Sequence, residues 1–163
     1  MKKAGKFPLV LSSVMFWLAA CSQSETGHSI SAHYKGSSPC DSLIKIMVGA
    51  DQSPICDFII WDLTINKGVK DSTFQAKLVY GESKPNTPGF KEDHHIDFNG
   101  TYMVRTGVSS NPRAKHYHFK STIGNKEFWL VEMDSNVFLF TDARGKNLVG
   151  NSGYSYVLNR VKE

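Results

Sequence analysis

The chain has 163 residues, enough for one domain, and 40% of them are hydrophobic, 12% aromatic and 21% charged. These values exclude an intrinsically disordered chain, a coiled coil and a collagen-like repeat. The formal charge is +4, and six His and three Cys are too few for a metal-storage protein or a cysteine-dense miniprotein.

Residues 1–20 have the organisation of a secretory signal peptide. Three lysines form a positive head, an apolar run follows from Phe7 to Ala20, and small residues precede Cys21. The run of about 14 residues is shorter than the roughly 20 that a transmembrane helix requires. Removal of residues 1–20 leaves 16 of the 19 basic residues against 15 acidic ones, which is a formal charge of +1. A net charge this close to zero does not indicate the basic surface stripe that is typical of nucleic-acid-binding proteins. We therefore expect no nucleic-acid partner.

The end of this segment, Leu18-Ala19-Ala20-Cys21, resembles the lipobox of bacterial lipoproteins. The resemblance implies cleavage before Cys21, followed by attachment of acyl chains such as palmitate to its sulfur and to its new amino terminus. Three acyl chains exceed the two signals that stable membrane anchoring requires. We therefore expect a protein of the cell envelope that is held in the bilayer by acylated Cys21.

The segment after the lipobox is polar and rich in small residues, which predicts a flexible tether over residues 21–32. A single folded domain is then expected over residues 33–163. Ser22 follows the cysteine, and by resemblance to enterobacterial sorting a residue other than Asp at this position favours the outer membrane.

Cys40 and Cys56 are the two cysteines left in the mature chain. An exported protein meets an oxidising compartment, so the simplest expectation is one disulfide. It would close a loop of about 17 residues and stabilise the fold by about 3 kcal/mol. A redox pair and a metal site are the alternatives, but the C-x15-C spacing matches the motif of neither.

A short helix is predicted between the two cysteines. Asp41 or Ser42 can cap its start, and Gly49 can end it. Its apolar residues share one helical face: Leu43, Ile44, Met47 and Val48.

After Cys56 the hydrophobic period changes to two, which is typical of half-buried strands. Residues 59, 61, 63 and 65 form the inward set of the first strand, and residues 74, 76, 78 and 80 that of the second. The predicted strands are Phe58–Ile65, Thr73–Tyr80, His95–Phe98, Gly100–Arg105, His116–Ser121, Glu127–Met133, Val137–Asp142 and Tyr154–Val161. Turn residues such as Asn99–Gly100 separate them, and Gly81–Gly89 is expected to be a long exposed loop. The chain is therefore mainly β, an antiparallel barrel or sandwich.

Three stretches match a known family in order: Tyr34-Lys35-Gly36-x-x-Pro39-Cys40, Val137–Asn151 with its Asp142-x-x-Gly145, and the last strand Tyr154–Arg160. With the lipobox, this order resembles the NlpE-like lipoproteins, and more closely their uncharacterised relatives in Bacteroidetes-type bacteria. The resemblance implies a small antiparallel β-barrel of lipocalin or OB-like kind. In this chain the barrel is expected to carry one short N-terminal helix, the one predicted between the two cysteines. It also implies copper resistance and the sensing of envelope stress at the outer membrane.

The chain departs from this family at the cysteine motif on which copper binding in the family depends. The family has Pro-Cys-x-x-Cys, whereas Pro39-Cys40 is followed here by Asp41, Ser42 and Leu43. Two thiolates at that spacing can chelate a soft metal, but a single cysteine in a disulfide cannot. The resemblance therefore bears on fold and location more than on copper binding.

Four of the six histidines lie in two groups, which makes them the weak candidates for a metal site: His94, His95, His116 and His118. Residues 116 and 118 face the same side of a strand, and a neighbouring strand that carries His95 would complete a three-histidine site for copper or zinc. The alternative is a solvated outer face, on which these two histidines alternate with inward Tyr117 and Phe119.

No recognisable catalytic frame is present, since the chain has no G-x-S-x-G elbow and no phosphate-binding loop. We expect no enzyme and no cofactor. An envelope hydrolase stays open as an alternative, and it would need a His and a carboxylate or Ser that meet in a cleft. The many aromatic residues either fill the core or line a cavity for a small apolar ligand. The first hypothesis is a non-enzymatic lipoprotein that binds an envelope protein or senses stress, and the alternative is a barrel that binds a metal or a small apolar ligand.

Overall fold

Eight antiparallel strands close into a barrel in the computed structural model, which describes residues 30–50, 55–68, 71–108 and 111–162. The elements are β1 Ile30–Pro39, α1 Ser42–Val48, β2 Phe58–Lys67, β3 Ser72–Gly81, β4 His94–Val108, β5 Asn111–Ser121, β6 Glu127–Asp134, β7 Val137–Thr141 and β8 Val157–Val161. Each strand pairs with the next in the chain, and β1 also pairs with β8. The predicted mainly β fold with an antiparallel barrel and one short helix is confirmed. The signal peptide, Cys21 and the tether up to residue 29 lie outside the described residues.

Successive strands run in opposite directions, so their starts and ends lie at two opposite ends of the barrel. The Ile30 end holds the start of β1, the β4–β5 connection and the end of β8, while the helix end holds α1 and the starts of β2 and β4. Both names are used below in this sense.

Several predicted boundaries are wrong. Residues 30–32, assigned to the tether, already belong to β1, which the sequence analysis did not recognise as a strand. Asn99–Gly100 is not a turn, because β4 continues through it as one strand of 15 residues. Gly100 fits there because β5 passes so close that a Cβ would lie 2.0 Å from the carbonyl oxygen of Lys120. The last strand is shorter than predicted and begins at Val157.

The interior is filled by side chains from alternate strand positions, as the period of two predicts. The inward set of β2 is buried throughout, and in β3 only Tyr80 is partly exposed. Phe119 and Phe128 stack with ring centroids 4.4 Å apart, and Trp61 lies 4.7 Å from Phe140. The indole N–H of Trp61 donates to the buried Ser38 hydroxyl at 2.9 Å. The aromatic residues therefore form the core of the barrel.

The helix closes one end of this core. Asp41 Oδ1 accepts a hydrogen bond from the Ile44 N–H at 2.9 Å, and Gly49 ends the helix with a left-handed φ of 73°. Ile44, Met47 and Val48 are buried as predicted. Leu43, which was expected on the same face, is instead 41% exposed. The buried face of the helix is therefore narrower than predicted.

The predicted disulfide between Cys40 and Cys56 is present, with the two Cα atoms 5.6 Å apart. It ties the segment before α1 to the segment that enters β2. This link fixes the helix over the end of the barrel, since the chain on both sides of the helix is held at one point.

Gly36 permits the closest approach of β1 to β8, and its replacement by alanine is expected to destabilise the barrel. A Cβ there would lie 2.1 Å from the carbonyl oxygen of Val157, so backbone must shift. We expect Gly36→Ala to lower the free energy of unfolding by about 3 kcal/mol in urea titration. Gly89→Ala is the control, because its Cβ would meet only the Thr87 hydroxyl at 3.8 Å. Equal stability of the two variants would contradict this account of closure.

Candidate functional site

The predicted histidine site does not form. β4 and β5 are neighbours, but their register pairs His118 with Met103, eight residues from His95 and about 26 Å away at the rise of a β-strand. His94 lies beside the ring of Tyr80, whereas His95 contacts Asp93. Among the residues that the structure describes, no group of three His, Cys, Asp or Glu side chains is placed to hold a metal ion. The hypothesis that His95 joins the pair on β5 is therefore wrong.

His116 faces outward from β5 but is not solvated, which corrects the prediction of an open histidine face. Its Nε2 atom lies 2.7 Å from the hydroxyl of Thr141, which is fully buried. Burial lowers the pKa of His116, and the neighbouring positive charges of His118 and Arg105 lower it further. The neutral imidazole is thus part of the packing between β5 and β7. The buried Thr141 hydroxyl is out of reach of a substrate.

His118 belongs to a different environment. Its ring stacks on the indole of Trp129 at 5.1 Å, and its Nε2 atom lies 3.1 Å from Glu127 Oε2. It is half-buried by these two contacts, which come from the neighbouring strand β6. The two histidines on β5 share a face, as predicted, but each has its own partners.

The outward side of β6, β7 and β8 is apolar, which is unusual for the outside of a small barrel. The register places Val131, Leu139 and Val157 in one row across the three strands. Trp129 and Met133 lie two positions on either side of Val131 along β6. Met133 is 60% exposed, Trp129, Leu139 and Val157 are half-buried, and Val131 at the centre is only 4% exposed. We call these five residues the apolar wall.

The opposite side of the barrel is mainly polar, apart from the outward pair Ile60 and Val79 near the helix end. The outward residues of β2 and β3 include Asp62, Thr64, Gln75 and Lys77. Asp62 there lies 2.6 Å from His33 and 3.2 Å from Lys35, in an ion-pair group of the kind common on a water-facing sheet. The contrast between the two sides identifies the apolar wall as the candidate binding surface.

A group of tyrosines lies inside the Ile30 end. Tyr102 and Tyr117 have ring centroids 5.8 Å apart, and the Tyr117 hydroxyl donates to Glu132 at 3.0 Å. The same carboxylate accepts from Lys115 at 3.0 Å. Burial raises the pKa of Tyr117, and the Glu132 carboxylate raises it further. The phenol stays neutral and ties β5 to β6 at this end.

Sequence reasoning found only part of the apolar wall. The predicted strand Val137–Asp142 begins with four apolar residues in succession, so it carries apolar side chains on both faces and requires either a cover or a partner. Sequence reasoning did not place Val131 and Val157 beside Leu139, because strand register is not encoded in the local pattern.

Comparison of the chain with protein-family models, with curated protein sequences and with solved structures finds no match. Among the described helical residues, none belongs to a helix long and apolar enough to cross a bilayer.

The burial of neutral His116 predicts a loss of stability on mild acidification. Its pKa in the folded chain is below 6.5, so the unfolded chain binds more protons as the pH falls through that value. We expect the free energy of unfolding to decrease below about pH 6.5, with a slope of at most about 1.4 kcal/mol per pH unit. His116→Gln should flatten this slope in urea titrations, and exposed His95→Gln should retain it. An unchanged slope in His116→Gln would show that another group titrates.

Proposed function

We propose that the mature chain is a non-enzymatic lipoprotein of the outer membrane whose barrel binds another envelope protein. The apolar wall is the observation that carries this proposal. A partner with a matching apolar surface would remove Met133 and the exposed parts of Leu139 and Val157 from water. The sensing of envelope stress, which the resemblance to the NlpE-like family implies, is one use of such a contact.

The packed interior favours a partner on the outside over a ligand within. Trp61, Phe119, Phe128 and Phe140 are fully buried against one another where a small apolar ligand would have to sit. A ligand would have to displace these rings, at the cost of their packing. The proposal therefore places binding on the outer wall.

Membrane anchoring rests on the lipobox and agrees with the position of the first strand. Eight residues separate Cys21 from Ile30 in the sequence, and a chain of that length reaches at most about 30 Å. An acylated Cys21 would hold the Ile30 end near the bilayer. The apolar wall, on the side of the barrel, would face the envelope space and stay accessible to a partner.

The anchor is tested by Cys21→Ser in cells that express the full chain. We expect the wild-type protein in the membrane fraction, with the mass of the attached acyl chains detected by mass spectrometry of the N-terminal peptide. The serine variant should lose that mass and leave the membrane fraction on washing, because it has no acyl chain. A wild-type peptide without acyl mass would contradict the lipoprotein assignment.

The partner surface is tested by a photo-crosslinking amino acid at position 139, on the apolar wall. We expect an adduct of defined mass in envelope membranes, because Leu139 lies at the centre of the row. Position 79 is the matched control, since Val79 is also apolar, half-buried and outward but lies on β3, on the opposite side of the barrel from the wall. Met133→Lys should weaken the adduct by placing a charge at the edge of the wall. No adduct at 139, or equal adducts at 139 and 79, would refute this surface.

A further inference from the structure

A groove of about 590 Å³ opens at the helix end of the barrel. Four segments that are far apart in the sequence meet there: the chain after β1, the residue before β2, the loop after β3 and the loop before β8. We call it the helix-end groove, and every residue that lines it belongs to the described part of the chain. Its polar and aromatic side chains are Asp41, Asp57, Ser83, Asn151, Ser152 and Tyr154.

The aromatic side of the groove is held in place by stacking. The ring of Tyr154 lies 4.5 Å from that of Phe58, and the two planes are 13° apart. Phe58 is itself buried, and it also stacks on Phe90 at 4.4 Å. Tyr154 cannot turn away from the groove without losing this contact. A fixed ring with a hydroxyl at its tip suits a ligand that carries both C–H and polar groups.

Asp57 supplies a fixed negative charge. Its Oδ2 atom accepts two hydrogen bonds from Ser83, from the hydroxyl and from the backbone N–H, each at 2.7 Å. These hydrogen bonds lower the pKa of Asp57, so the carboxylate is ionised at neutral pH. Among the described residues no group donates to its other oxygen, Oδ1. The exposed carboxylate therefore keeps one acceptor for a ligand while Ser83 fixes its position.

Asn151 supplies the complementary donor. Its Oδ1 atom accepts from the N–H groups of Gly153 at 2.9 Å and Tyr154 at 2.8 Å. Its Nδ2 amide makes no hydrogen bond within the part of the chain that the structure describes. Asp41 differs from both, because its two carboxylate oxygens already accept from the Ile44 N–H and the Tyr156 hydroxyl. Asn151 and Asp57 are thus the side chains whose remaining atoms can meet a ligand.

The charge of the groove limits what it can hold. Two carboxylates line it, and no lysine, arginine or histidine of the described ranges does so. Lys91 also acts on Asp57, but it is ion-paired with Glu82 outside the groove. An anionic ligand would be repelled. A single ring beside a carboxylate, an amide and hydroxyls also offers little to a wholly apolar ligand.

We propose that the helix-end groove binds a neutral oligosaccharide. One sugar ring lies against Tyr154, with one hydroxyl donating to Asp57 Oδ1 and another accepting from Asn151 Nδ2. β1 has ten residues, so about 33 Å separates this end of the barrel from Ile30. The groove therefore opens away from the end that the tether would hold. Binding of the sugar depends neither on acylation of Cys21 nor on the apolar wall.

The test is a nuclear magnetic resonance titration of the ¹⁵N-labelled mature chain with Cys21→Ser. The probes are three neutral trisaccharides, maltotriose, cellotriose and chitotriose, and the anionic trisaccharide trigalacturonate. We expect at least one neutral probe to give saturable shifts that are concentrated in the amides of residues 151–154 and of Ser83. Trigalacturonate should give none, because the carboxylates repel it.

Two pairs of variants separate binding from stability. Asp57→Asn should lower the affinity by about tenfold, the usual loss for a hydrogen bond to a charged group. Asp93→Asn is its control, because Asp93 is an exposed acid of the loop before β4 that does not line the groove. Tyr154→Leu should abolish saturable binding. Phe90→Leu removes a ring from the same Phe58 stack without touching the groove, so it should retain the affinity.

Three results would overturn the proposal: no saturable shift with any neutral probe, equal binding of trigalacturonate, or equal losses in each variant and its control. Melting temperatures show whether a variant is folded, and the Asp57 pair decides if Tyr154→Leu is not. A missing crosslink at position 139 or a missing acyl mass on Cys21 leaves the titration unaffected. The proposals for the wall, the anchor and the groove therefore fail separately.

Discussion

The pairing of β1 with β8 is the constraint on which the rest of the structure depends. It turns an open sheet into a closed barrel, which leaves no free sheet edge along the paired length. Gly36 makes the approach possible, because any side chain at this position would meet the backbone of β8. Two residues later, Ser38 accepts the hydrogen bond of the central Trp61. The segment that the family resemblance identifies by its Tyr-x-Gly motif is therefore the one that closes the sheet.

A closed barrel packed with aromatic rings has its remaining chemistry on the outside. The outer surface is divided into a mainly polar side on β2 and β3 and the apolar wall on β6 to β8. This division is not required for folding, since polar residues at the outward positions of a barrel cost little. We infer that it reflects the proposed contact of the wall with a partner protein.

The sequence alone was sufficient to predict those features that depend on neighbours along the chain. Alternation revealed β2 and β3, the capping residues Asp41 and Gly49 bounded α1, and the two mature cysteines indicated the disulfide. It was not sufficient for features that depend on register. Ile30–Pro39 contains several small and polar residues and does not alternate clearly, so β1 could be recognised only from its partners.

The candidate site also combines features that the local sequence pattern predicts with features that depend on strand register. The alternating pattern predicts correctly that His116 and His118 share one face. Only the register shows that His95 lies eight residues along β4 from Met103, the partner of His118. The burial of His116 follows from Thr141 on a strand two places away, and no local signal reports such a contact. The apolar wall was visible in β7 alone, because its other members come from β6 and β8.

The two links that hold β1 and α1 in place differ in how far they reach along the chain. The disulfide joins residues 16 positions apart, so it closes a short loop of the chain. β1 pairs with β8 between His33 and Val161, so the sheet closes only when strands far apart in the sequence meet. Until then β1 presents an unpaired edge, which is the kind of surface that aggregates or engages chaperones. Closure of the barrel is therefore a contact of long sequence separation, which is the kind of contact that slows folding.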